Sequence, residues 1–303
     1  MPAGYLEDYT AREPRLTSAR TRITVTSERR RWMRKPDLTD ALDFWSFAGA
    51  AANVAMQIGW PEVAYGVMES KVESGALMHH PWKRARTTTA YLAVAILGTD
   101  EERLLFREAV NGAHRHVRSD ADSPVKYNAF NRELQLWVAA CLYVGFEDSH
   151  QLLHGRMSDD ELEHFYVHAS SLATTLQVTE DMWPATRADF DRYWNTACER
   201  VTYDERTKQF IHDLVGLRMI KWPLRAGFGN LLQFLTIGTL GPYFRELLDL
   251  EWTETDRRRF EHLFIFVAFV NRFIPKFVRF GGSRWLMRDL RRRYRKGIDP
   301  IGR

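Results

Sequence analysis

The sequence predicts an all-α chain, on three observations. Apolar residues recur at helical spacing through most of its length. Pro, Gly and Asp punctuate that pattern into segments of helical length. Strand signals are almost absent: TRITVTS (Thr21–Ser27) is the one good alternating run, and it sits in a charged arm. With 45% hydrophobic and 13% aromatic residues among 303, the chain can build a sizeable core.

The elements follow in order. Residues 1–36 read as a basic arm. Residues 37–270 form a single helical body, and 271–303 a basic, aromatic tail. Pro36–Asp40 opens a first body helix, Ala41–Ile58, and Pro61–Leu77 gives a second. Trp82–Leu97 starts after Pro81 and is closed by Gly98, and Thr99 is placed to cap the next helix, Glu101–Val117. Arg132–Glu147 carries Trp137 near its centre, and Ser158 with Glu161 three residues later reads as a capping box. Asp204–Met219 and Phe228–Leu250 follow, the latter interrupted by Gly238 and Gly241-Pro242. Within it, Leu231–Phe244 is apolar on nearly all sides, which suits core packing, a tunnel lining or lipid contact. No internal repeat is present.

Charge is segregated. The first 36 residues carry +5, residues 271–303 carry +9, and the body between them −10. The run Phe264–Gly297 interleaves aromatics with arginines, and three readings stand: an anchor on an anionic membrane surface through residues 271–303, ion pairing with the acidic body, or a nucleic-acid arm. No recognition-helix or RNA-binding signature accompanies it, so no nucleic-acid partner is expected. Cys141 and Cys198 lack metal or redox spacing and read as buried free thiols, which suits a reducing compartment. The first thirty residues hold no apolar leader and no window has eighteen uninterrupted apolar residues, so the expectation is a cytoplasmic chain, peripheral at a membrane at most. G-x-S-x-G, G-x-G-x-x-G and P-loop patterns are all missing, which argues against most nucleotide-dependent classes.

One histidine stands out. Phe106, Val110, Ala113 and Val117 share a stripe of the fourth helix, and His114 falls about 40° from Val110 on that stripe. A neutral imidazole facing a core needs an acceptor, a metal or a haem iron. On the preceding helix Arg86 shares a stripe with Thr89, Ala90, Ala93 and Leu97. The connection Gly98-Thr99-Asp100 is short, so the two helices should pack antiparallel with Arg86 and His114 converging on a pocket. The alternative is an Arg86 paired with a structural carboxylate.

The ordered set GWPEVAYGV (Gly59–Val67), HPWKRARTTTAYLAVAILGT (His80–Thr99), HRHVRS (His114–Ser119), ELQLWVAA (Glu133–Ala140), MSDDELEHFY (Met157–Tyr166) and WPAT (Trp183–Thr186) resembles the MpaB/rubber-oxygenase family, across roughly residues 40 to 250. The resemblance implies a globin-like all-α core holding a b-type haem. It implies that His114 ligates the iron and that Arg86 and Thr87 shape the opposite side. Where the latex-clearing branch has a lysine, this chain has Arg86, a poor ligand and a good donor to bound dioxygen. Trp60 stands where many members carry histidine. The implied activity is dioxygen-dependent oxidation of a hydrophobic isoprenoid- or lipid-like small molecule. The alternative is a haem- or lipid-binding protein without turnover, at the membrane.

A rival centre is non-haem di-iron. Glu147/His150 and Glu161/His164 are two E-x-x-H patterns, with Glu69, Glu73, Glu108 and Glu133 as further carboxylates. The two patterns lie close together in sequence, with a helix start at Ser158 between them. His164 and His168, at i and i+4, could hold zinc, while His79-His80-Pro81 reads as a turn.

Overall fold

Asp43 decides how the body begins. The computed structural model describes residues 34–70, 80–218 and 224–301. The run Thr21–Ser27, nearly all of the basic N-terminal arm, Glu73 and His79 lie outside them. The expected long first helix is broken. Two 3-10 turns, Leu38–Leu42 and Phe44–Gly49, flank an Asp43 with extended backbone, and only Ala50–Gln57 is α-helical, as α1. Asp43 is 1% exposed and ion-paired with Arg279 from the far end of the chain. Its side chain also accepts the Trp45 backbone N–H. A carboxylate buried this way is held by its partner, and the backbone yields to it.

The next helices start where local chemistry says, though the one expected over Pro61–Leu77 already ends at Met68. Helix α2 (Pro61–Met68) and α3 (Pro81–Leu97) both open on proline, whose missing N–H is no loss at a first turn. Thr99 and Glu102 form a capping box for α4 (Asp100–His114), which ends at His114, three residues short of the expected Val117. Residues 115–131 then fold back on themselves through Ser119 N–H to Tyr127 O and Ala129 N–H to Val117 O, both 2.9 Å. One isolated antiparallel bridge, Arg118–Asn128, is the nearest thing to a strand among the described residues.

The long central helix α5 (Arg132–His154) is followed by α6 (Asp159–Tyr166), capped by Ser158 as expected, and the short α7 (Ser171–Thr174). Then come α8 (Arg187–Glu199) and α9 (Glu205–Val215). Helices α10 (Leu224–Thr239) and α11 (Pro242–Leu247) divide the expected 228–250 helix at Gly241-Pro242. The chain closes with α12 (Glu254–Asn271), α13 (Lys276–Arg279) and α14 (Gly281–Arg295). No helix among the described residues is long and apolar enough to cross a membrane.

The core is aromatic. Trp137 of α5 is sandwiched between Trp60 and Trp194, with ring centroids 5.0 and 5.2 Å away. The Arg200 guanidinium covers the outer face of Trp60 at 3.7 Å. The indole N–H groups of Trp60 and Trp137 donate to the carbonyls of Ala197 and Gln57, so these rings are buried without stranding their donors. Cys141 and Cys198 are free and fully buried in the same core, and burial pushes the Cys141 thiol well up. Leu240 and Phe244 pack into the core, and a Cβ on Gly238 would collide with the Phe260 ring, so core packing explains most of the apolar 231–244 stretch.

The basic tail is seated on the body. Met287 and Leu290 of α14 pack on Ala90, Ala93 and Val94 of α3 and on Phe106 of α4. Arg279 pairs with Asp43, and Arg291 with Glu102 at 2.6 Å. The ion-pairing reading of the tail therefore accounts for part of its arginines.

Candidate functional site

Helices α3 and α4 run antiparallel from the tight Gly98–Thr99 connection, and Arg103 Nε donates to Ala95 O across it. Counting back from the connection, residue 84 lies about 20 Å along α3 and residue 114 about 21 Å along α4. The two positions are therefore level, at the open end of the helix pair. There they border an apolar cavity of about 240 Å³ between α2, α3, α4, the 115–131 segment and α5.

Phe106, Val110, Ala113 and His114 line this cavity, the stripe that helical spacing predicts for α4. His114 is the last residue of its helix, with the Phe130 ring edge-on at 6.2 Å. Its Nδ1 is buried and has no hydrogen-bond partner. Burial, helped by the positive charge of Arg84, pushes the imidazole down to a pKa of about 4. His114 is thus a neutral base at physiological pH, with a buried ring nitrogen left unpaired.

The arginine that meets it is Arg84, not Arg86. The two differ by two residues, or about 200° around the helix, and so occupy opposite faces of α3. Arg86 points to the tail, where it donates to Asp289 of α14 at 2.7 Å and is 40% exposed. It lines a separate outer groove of about 380 Å³ with Trp82, Asp289 and Arg293. The expected convergence of Arg86 with His114 is therefore corrected: Ala90 and Ala93 of that stripe are buried under α14, with Arg86 half-exposed at its rim. Arg84, half-buried, lines the inner cavity, and burial lowers its pKa, with no carboxylate paired to it among the described residues. Sequence reasoning missed it because α3 has two buried faces. The second face, 84, 87, 88 and 91, carries two threonines that mute its apolar signal.

Thr87 borders both the inner cavity and the outer groove, as does Ile301 from the tail. The Thr87 hydroxyl donates back to Lys83 O at 3.0 Å, and Thr88 lines the inner cavity beside it. On the far wall Gly66 of α2 faces the Tyr127 ring, which a Cβ there would meet at ordinary contact distance, 3.4 Å. Gln135 of α5 fixes the remaining side. Its amide donates to Ala129 O and Gln177 Oε1, and Gln177 in turn donates to Asn111 of α4. Trp60 lies in the tryptophan stack and does not line the cavity.

The di-iron ligands are dispersed. Glu147 receives a bidentate pair from Arg187, at 3.0 and 2.9 Å, and both side chains are almost fully buried. Glu161 is engaged as the N3 carboxylate of the Ser158 capping box, and His164 Nδ1 meets Pro36 O at 2.8 Å. Glu133 and Glu69 pair with Arg200 and Arg206. No group of three or more His, Cys, Asp or Glu side chains among the described residues is arranged to hold a metal ion.

The described all-α body thus holds an apolar cavity bordered by a neutral histidine and a half-buried arginine. Residues 40–269 match the catalytic domain described as ER-bound oxygenase mpaB/B'/rubber oxygenase, and the chain belongs to that family. Its relatives include an uncharacterized protein of Mycobacterium bovis and one of Mycobacterium tuberculosis. Each is 48% identical over 225 residues, which cover 74% of this chain and 88% of the relative. No solved structure matches the chain.

Proposed function

We propose that this chain is a haem b-dependent oxygenase in which His114 is the protein ligand to the iron. The observation that carries the reading is the unpaired, buried Nδ1 on an imidazole that stays neutral, inside the cavity of an oxygenase-family domain. A metal ligand must be deprotonated, and this imidazole meets that requirement across the physiological range. A histidine outside any group of three or more candidate metal-binding side chains among the described residues suits an iron whose remaining ligands come from a macrocycle. The haem, when bound, supplies the dioxygen chemistry.

The chain's own residues supply the rest. Arg84 is a half-buried cation without an ion-pair partner among the described residues, suited to hold a carboxylate edge of the cofactor or to donate to an electron-rich oxygen. Thr87 and Thr88 give the α3 side its hydroxyls. Val63, Val67, Leu134 and Leu142 make the wall apolar and exclude water, which suits an isoprenoid- or lipid-like substrate. The role first expected of Arg86 falls to Arg84 in this reading.

The test is an absorption spectrum of the purified protein, oxidised and dithionite-reduced, with iron analysis on the same sample. A Soret band at about one iron per chain, lost in His114→Ala with helicity retained, is the expected result. Haem content unchanged in His114→Ala overturns the ligand assignment. Absence of any Soret band after haemin addition overturns the oxygenase reading.

A further inference from the structure

The C-terminal helices leave a second feature unused by the cavity. On α12 and the turn after it, Ile265, Phe266, Phe269 and Phe273 fall within about 100° of one another around the helix and are all exposed. Phe273 is 71% exposed and Phe277 on α13 is 68% exposed, followed by Val278 at 50%. The Phe269 and Phe273 rings lie edge to face at 5.2 Å, so the strip is continuous rather than a scatter of single side chains. One turn into α14, Trp285 is also 57% exposed. Isolated exposed apolar residues are ordinary on a protein surface, whereas a run of this size is a binding face.

The charges around it are of one sign. No acidic residue occurs between Glu261 and Asp289. Arg272, Arg284 and Arg288 in that interval are exposed and form no ion pair with a described residue. They differ in this from Arg279 and Arg291, which Asp43 and Glu102 of the body hold, and from Arg293, which pairs with Asp289 of its own helix. Phenylalanines flanked by free arginines have the composition of a surface that sits at the headgroup level of an anionic bilayer: rings enter the acyl boundary while guanidinium groups stay on phosphates.

We propose that this face, centred on Phe269 and Phe273 and rimmed by Arg272, Arg284 and Arg288, docks the protein peripherally on an anionic lipid bilayer. A second copy of the chain is the poorer occupant. In a two-fold dimer the patch would meet itself and bring like charges together, which opposes association. The surface argument is independent of the cavity and of any cofactor in it.

The experiment is co-sedimentation of the full chain with vesicles of phosphatidylcholine alone or phosphatidylcholine mixed with phosphatidylglycerol, at low and high salt. Binding to the mixed vesicles is expected, weakening at high salt and falling about fivefold when Arg272 is changed to Gln. The double variant Phe269→Ser/Phe273→Ser, whose side chains are exposed, should keep wild-type helicity by circular dichroism and lose vesicle binding. Equal partition onto neutral and anionic vesicles overturns the proposal, as does undiminished binding by the double-serine variant. A monomer–dimer equilibrium abolished by the same variant, with no vesicle binding, assigns the face to a second copy instead.

Discussion

Arg84 and His114 stand level on two antiparallel helices, and the cation of the first reinforces the burial that keeps the second neutral. Neither residue is explained by the core. An arginine with no carboxylate partner among the described residues and a histidine with an unpaired buried nitrogen both cost stability in the protein without ligand.

The first consequence is a pH dependence in the protein without ligand. His114 has a folded pKa of about 4 against an ordinary value of 6.5, so the unfolded chain binds more protons between these values. Stability therefore falls as pH drops from 6.5 toward 4, by up to about 3 kcal/mol from this group. Denaturant unfolding at pH 7 and pH 4 checks it. His114→Phe should lose less stability over that window than the wild type.

The second separates the two arginines. Arg84→Leu removes the charge facing His114, so the imidazole titrates at a higher pH by NMR, and haem affinity falls by at least about tenfold if the guanidinium holds a cofactor carboxylate. Arg86→Leu should leave both quantities unchanged. It removes a partly exposed pair with Asp289 worth at most about 1 kcal/mol.

A third concerns the tryptophan stack. Trp137 touches Trp60 on one face and Trp194 on the other and is fully buried. Trp137→Ala should cost about 3–5 kcal/mol in chemical denaturation. Trp60→Phe, which keeps an aromatic face but loses the bond to Ala197 O, should cost less.

A fourth distinguishes the buried ion pair from a metal ligand. Glu147→Gln takes the bidentate carboxylate from a buried Arg187 that keeps its pair with Asp191, and should destabilise by about 1–3 kcal/mol. Iron content of the surviving folded protein should not change. Loss of iron in Glu147→Gln at full helicity would restore the E-x-x-H pattern as a ligand.

Local rules in the sequence were enough for the caps and for most helix starts. The capping boxes at Thr99/Glu102 and Ser158/Glu161 stand where spacing puts them, because a cap is satisfied within four residues of itself. The same holds for the His114 stripe on α4, which has one apolar face. The family, too, was legible from an ordered set of short motifs. Tertiary structure decided what each face of α3 meets. That helix is buried on two sides, one against the cavity and one against α14, nearly two hundred residues downstream. Helical periodicity fixes the angle between Arg84 and Arg86 but carries no information about which angle faces the histidine. Asp43 and Arg279 make the same point: their ion pair spans most of the chain, and it breaks a helix whose local sequence favours continuity. Bonds that close within a turn are written in the sequence, whereas those that close across the fold depend on where distant helices come to rest.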